Sequence, residues 1–294
     1  LRLYAFTAEG DPHQGVIIGD DSVMVIGAQA TPHLPRKFIA AIRTVPDKPN
    51  SHLILRHCPA VRVPDNAACG APQVIMMACA RAMVAERGAE DWASEFCRFR
   101  RPVQGHEEIA GLTWPTTTFG DPMTVYPGKQ QVRIMHLGRA QTAGDAVVGV
   151  PDAGVMFTGD IVEYHPACDC GDGHFADWVG TLDRIAANRA QAIAPGRGDA
   201  LTGPDMVAMA ITATEDFTAR TFDAAGRVAA GGETFEQAWG AVRAACDPHF
   251  TGHAIHVHVL PLNDARVFDK AEGIDTPLSG TAACHTAIWA ESQG

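Results

Sequence analysis

His136-Leu137-Gly138-Arg139-Ala140-Gln141-Thr142-Ala143-Gly144-Asp145 and, further on, Phe157-Thr158-Gly159-Asp160 each run from a strand-forming stretch into a polar loop. Two other segments have the same form. They are Leu55-Arg56-His57-Cys58-Pro59-Ala60-Val61-Arg62 and Ala194-Pro195-Gly196-Arg197-Gly198. The Asp160 loop continues through Tyr164-His165-Pro166-Ala167-Cys168-Asp169-Cys170-Gly171-Asp172-Gly173-His174. Polar residues at strand ends are where α/β proteins place their sites.

Outward from these loops the pattern alternates between strands and helices. Val16–Ile18 and Val23–Ile26 flank Gly19-Asp20-Asp21 and read as a hairpin. Apolar spacing predicts a helix from His33 to Val45, strands at His52–Leu55 and Gln73–Met77, and a long amphipathic helix from Cys79 to Arg98. Met123–Tyr126 with Gln131–His136, and Ala146–Val150 with Val155–Thr158, read as strand pairs. Phe175–Asn188 reads as a helix and Ala190–Ala194 as a strand. The remainder is mostly helical. Pro204 suits a first helical turn, and Thr234 with Gln237 forms a capping box for a helix through Ala245. His256-x-His258 within Ala254–Leu260 alternates as a strand does, which places both imidazoles on one face.

Strands inside and helices outside make one layered domain over residues 1–294, with a core of about 1–200 and a helical C-terminal part of about 201–294. The 294 residues are 46% hydrophobic and 19% charged, enough to bury a core without staples. A net charge of -11 and a pI near 5.6 repel phosphate backbones, which argues against a nucleic-acid partner. No apolar run reaches membrane-spanning length. The N-terminus lacks a charged region followed by an apolar one, although a chain starting at Leu1 leaves room for a removed leader. The scattered cysteines among the eight fit a reduced, cytoplasmic protein.

The segments Gly138–Asp145 and Phe157–Asp160 resemble the metallo-β-lactamase fold superfamily, whose corresponding motifs read G-(x)-x-H-T-x-G-D and F-x-G-D. The opening hairpin and the His57 loop match the family's opening. The likeness spans roughly residues 4–200. Arg56–Arg62, Cys168–His174 and Pro195–Gly198 are similar to a bacterial subgroup with the loop S-H-Y-H-A-V-R, whose members are known mostly as hydrolases. The resemblance implies an αββα sandwich with a helical C-terminal extension, a site on the edge between two sheets, and a hydrolase of a small organic molecule.

The departures from that pattern are specific. The family holds zinc through H-x-H-x-D-H, a His in the next motif and an Asp after it. Here the loop supplies His57, then Pro59, Val61 and Arg62; the next His is Gln141; and an Asp that often precedes the first helix is Gly27. His57 and Asp160 remain as metal candidates, and two ligands do not make a stable zinc site. The implied cofactor is therefore either none or one zinc in a rebuilt site. His57 and Asp160 are the catalytic candidates together with Arg62, and Gln141, Tyr164, Arg197 and His258 are the substrate-binding candidates. An ion pair of Asp160 with Arg62 or Arg197 is the structural alternative. A second ligand set, His165, Cys168, Cys170 and His174, offers sulfur and imidazole, against a purely structural loop. Two function classes follow: a hydrolase with a reduced metal site, or a metal-free protein that binds a small ligand or serves as a non-catalytic subunit. The C-terminal helices offer a surface for a homodimer.

Overall fold

The computed structural model describes residues 1–6, 12–27, 48–57, 70–99, 112–271 and 273–277. The helix expected over 33–45 and the loop beyond His57, with Cys58 and Arg62, lie outside the described residues.

Two six-stranded sheets form the centre. The first runs in sequence order: β1 (Arg2–Phe6), β2 (Gln14–Ile18), β3 (Val23–Ile26), β4 (Asn50–Leu55), β5 (Gln73–Met77) and β6 (Thr117–Phe119). β1 to β3 are antiparallel, whereas β3 to β6 are parallel. α1 (Ala78–Phe99) follows β5 directly. The second sheet begins with β7 (Met123–Val125), β8 (Val132–Met135), β9 (Val147–Val150) and β10 (Val155–Gly159). α2 (Phe175–Ala187) then precedes β11 (Ala192–Pro195) and β12 (Leu201–Thr202), and the order across the sheet is β12-β11-β10-β9-β8-β7. The hairpins expected on either side of Gly19–Asp21 and Pro151–Gly154 are both present.

Strand alternation explains the layering. Val132, Ile134, Val148 and Phe157 point toward the first sheet and join Ile17, Met24, Ile54 and Ile75 in one core. Met135, Val147, Met156 and Ile193 face the other way, against Trp178 and Leu182 of α2. Successive strand residues point to opposite faces, so β8 to β11 serve both cores. Each large apolar side chain buried this way contributes roughly 1.5–3 kcal/mol.

Three C-terminal helices complete the second helical layer: α3 (Pro204–Ala230), α4 (Phe235–Phe250) and α5 (His256–Ala271). Pro204 occupies the first turn of α3, and the Thr234–Gln237 capping box opens α4. α4 continues past Ala245 to Phe250. The strand reading of Ala254–Leu260 is corrected: the segment enters α5 at His256. Every position from Val259 to Val267 is buried, because this helix packs against both α3 and α4. His256 and His258 therefore face differently, the first buried and the second exposed. Among the described residues no helix is long and apolar enough to cross a membrane.

Candidate functional site

Short backbone bonds gather the loops at one end of the two sheets. The Arg56 carbonyl accepts from the Ala146 amide at 2.6 Å, which ties the end of β4 to the Gln141–Asp145 loop. The Gly196 amide donates to Val162 at 2.9 Å, and its carbonyl accepts from the His13 amide at 2.8 Å. Arg56 closes the ring, its Nη2 donating to the His13 carbonyl at 2.9 Å. These bonds bring residues 13, 56, 146, 162 and 196 together.

Two glycines permit this convergence. Gly159 has φ of 61°, and a Cβ there would stand 3.2 Å from Arg56 Nη1, so a side chain is disfavoured both by the backbone and by the guanidinium. A Cβ on Gly196 would lie 2.3 Å from Asp160 Oδ1. Both come from the F-x-G-D and Pro-Gly-Arg-Gly segments singled out in the sequence.

Asp160 is buried, with Arg197 as an ion-pair partner. Arg197 Nη1 lies 3.2 Å from Asp160 Oδ2 and 2.6 Å from Glu163 Oε1. Burial opposes the charge on Arg197, but the Glu163 and Asp160 carboxylates outweigh it and hold the guanidinium well above its ordinary pKa. Glu163 is itself fixed from α3: Thr214 Oγ1 accepts from the Glu163 amide at 3.0 Å and donates to its carbonyl at 2.9 Å. His57 Nε2 approaches Asp160 Oδ2 at 3.9 Å, with both side chains buried.

Asp145 and His13 complete the polar cluster. Asp145 accepts from the Thr142 amide at 2.8 Å and from the Thr142 hydroxyl at 2.7 Å. Burial nevertheless raises its pKa to about 7, the Thr142 donors opposing the shift and the charge of Asp160 adding to it. His13 is lowered to about 4, chiefly by burial and then by Arg56. The Pro195 carbonyl favours its protonated form, but neither ring nitrogen makes a well-formed hydrogen bond among the described residues. His13 is therefore neutral near pH 7.

This donor set does not fit the zinc that the family resemblance implies. Ligands to one zinc stand roughly 2.0–2.2 Å from it and number three or four. His57 and Asp160 are near enough to share an ion, but the Asp160 oxygen that faces His57 also faces Arg197. Gln141 brings an amide where the family has imidazole. Among the described residues no three His, Cys, Asp or Glu side chains are grouped to hold a metal.

The second ligand set is likewise not assembled. Cys168 and Cys170 are buried and clamped by Asn263, whose Oδ1 accepts from the Cys170 amide at 2.7 Å and whose Nδ2 donates to the Cys168 carbonyl at 2.9 Å. Burial foremost, then the neighbouring Cys168, pushes the Cys170 thiol up, away from the thiolate that a metal needs. His165 is exposed and stacks on His253 at 6.3 Å, while His174 is buried 4.0 Å from Asp275. The fold spreads these residues over different surroundings, and the Asn263 clamp gives the Cys-x-Cys stretch a structural role.

Of the substrate-binding candidates, Arg197 and Gln141 lie on the converging loops. The Tyr164 hydroxyl stands beside the Met209 sulfur of α3 at 3.7 Å, and His258 is an exposed helical residue. Arg62 falls outside the described residues. Glu163, His13 and Arg56 were missed as site residues. Arg56 was visible as a charge closing a buried strand. Nothing local marked the other two.

No protein-family model and no curated protein sequence matches the chain. Solved structures do. A metallo-β-lactamase from Pontibacter korlensis aligns at a TM-score of 0.57 and 15% identity, over 73% of this chain and 100% of that one. The FIM-1 metallo-β-lactamase from Pseudomonas aeruginosa, in a mono-zinc form, gives 0.54 and 14% over 74% and 90%. A double mutant of the sec-alkyl sulfatase PisA1 gives 0.66 and 15%, over 82% of this chain and 44% of the sulfatase. The chain has the metallo-β-lactamase fold.

Proposed function

We propose that this protein is a metal-independent member of the metallo-β-lactamase fold that binds a small organic molecule rather than hydrolysing one on zinc. The observation that carries this reading is the buried cluster in which Arg197 bridges Asp160 and Glu163. A guanidinium against the retained carboxylate supplies the positive charge that a metal otherwise provides, and it repels a second cation. The surrounding positions stay polar, as in a binding site, instead of being filled by apolar side chains. Fold alone does not fix function, so the site residues decide.

A second reading, a hydrolase with a reduced or rebuilt metal site, is favoured by the 3.9 Å approach of His57 to Asp160. The similar solved structures include β-lactamases and an alkyl sulfatase, which adds support at the level of fold. Metal analysis by mass spectrometry separates the two, on protein purified without chelator or nickel and on His57→Ala. The metal-independent reading expects no stoichiometric transition metal in either sample. Stoichiometric zinc or iron that disappears in His57→Ala overturns it.

A further inference from the structure

At the other end of β4 from Arg56, four polar side chains stand in line. Ser51 Oγ lies 2.8 Å from His52 Nδ1 and 3.0 Å from Ser22 Oγ. Ser22 directly precedes β3, Ser51 and His52 lie near the start of β4, and Gln73 opens β5. Extended strand separates Ser51 from Arg56 by about 16 Å, so this group is distinct from the Asp160 cluster.

Strand register makes the grouping. Val23 pairs with Asn50 and Met24 with His52, which leaves Ser51 as the extra residue of a bulge. Neighbours on a regular strand point to opposite faces, whereas a bulge re-aims them, and here Ser51 meets His52. Across the parallel ladder His52 pairs with Gln73, whose side chain accepts a hydrogen bond from the imidazole. Ser22, Ser51 and His52 are half-buried and Gln73 is exposed, so the group sits at the surface.

These contacts run in one direction. A ring proton shared with Gln73 leaves Nδ1 as an acceptor toward Ser51. Burial lowers the His52 pKa below its ordinary 6.5, with Gln73 opposing, so the ring is neutral near pH 7 and can take a proton. With the Ser51 proton turned to Nδ1, the Ser22 hydroxyl is free to donate to Ser51 Oγ. A serine is a weak nucleophile until a base within hydrogen-bond reach takes its proton, and a second donor stabilises the charge left on the oxygen. The structural alternative is that Ser51 donates to the Val23 carbonyl, 3.1 Å away, and only closes the bulge.

We propose that Ser51 is a nucleophile with His52 as its base, and that this second site takes acyl groups from small activated esters. The bond from Ser51 Oγ to the acyl carbon forms and the ester C–O bond breaks. The Ser51 proton moves to His52 Nδ1 and on to the departing alcohol oxygen. The proposal is independent of what binds beside Asp160.

The test uses a fluorophosphonate, which transfers its phosphonyl group to an activated serine, loses fluoride and leaves a stable adduct. The full chain is labelled near pH 7 and the modified residues are mapped by peptide mass spectrometry. The expected result is an adduct on Ser51 that is absent from urea-unfolded chain, with labelling roughly tenfold or more slower in His52→Gln. No adduct on Ser51, labelling of Ser22 at the same rate, or an undiminished rate in His52→Gln overturns the proposal. The comparison of Ser51 with Ser22 needs no variant, so it decides even where His52→Gln fails to fold.

Discussion

At the residue scale the site turns on Arg197. Removing a buried ion's partner is costly because the remaining charges have no solvent to turn to. Arg197→Leu removes the cation shared by Asp160 and Glu163 and is expected to destabilise the fold by about 3–5 kcal/mol in chemical denaturation. Adding Asp160→Asn and Glu163→Gln to that variant should recover much of the loss, because neutral amides carry no charge to strand. His13 makes a second residue-level prediction. Its folded pKa of about 4 lies below the ordinary 6.5, so the unfolded chain binds the proton first as pH falls. Its contribution to stability is complete above pH 6.5 and is lost as pH falls toward 4. His13→Gln should therefore show a shallower loss of stability across that window. The sequence made Asp160 and Arg197 legible, because a charge closing a buried strand is conspicuous. Glu163 was not, since its burial comes from Thr214 on a distant helix.

At the element scale, most strands and helices follow from periodicity and punctuation. The capping box at Thr234 is a local motif and forms as expected. Thr234→Ala is expected to cost about 1 kcal/mol, measured by thermal or urea unfolding. α5 is the informative failure. Over a short stretch, alternating apolar residues and histidines satisfy a strand pattern as well as a helical one, and packing against α3 and α4 selects the helix. The same helix buries Asp264, whose two carboxylate oxygens have no hydrogen-bond partner among the described residues. Burial raises its pKa from 3.8 to about 8. The native state therefore binds the proton where the unfolded chain has lost it. Stability is full below pH 3.8 and declines as pH rises through 8, by up to about 1.4 kcal/mol per pH unit. Asp264→Asn should flatten that decline and unfold at higher denaturant than the wild type near pH 8.

At the scale of the whole molecule, the C-terminal helices are more than an extension of a core ending near residue 200. Val207 and Phe217 of α3 join the apolar layer over the second sheet. Asn263 and Arg266 of α5 bond to the backbone of Cys168, Cys170 and Gly173, and Thr214 holds Glu163. A chain cut after Thr202 exposes that layer and frees the Asp160 loop. It is expected to lose cooperative unfolding, checked by near-ultraviolet circular dichroism and a denaturant titration.

The sequence by itself determined the α/β class, most of the strands and helices, and the polar loops that close the strands. These are matters of period, turn chemistry and residue identity, all local. Tertiary structure alone decided that Arg197 pairs with Asp160 and Glu163, that the Cys168–His174 stretch is clamped by Asn263, and that His13 stands at the site in neutral form. Each depends on distance and burial between residues far apart in the chain. Charge balance and proton affinity are set by those neighbours in space and not by neighbours in sequence.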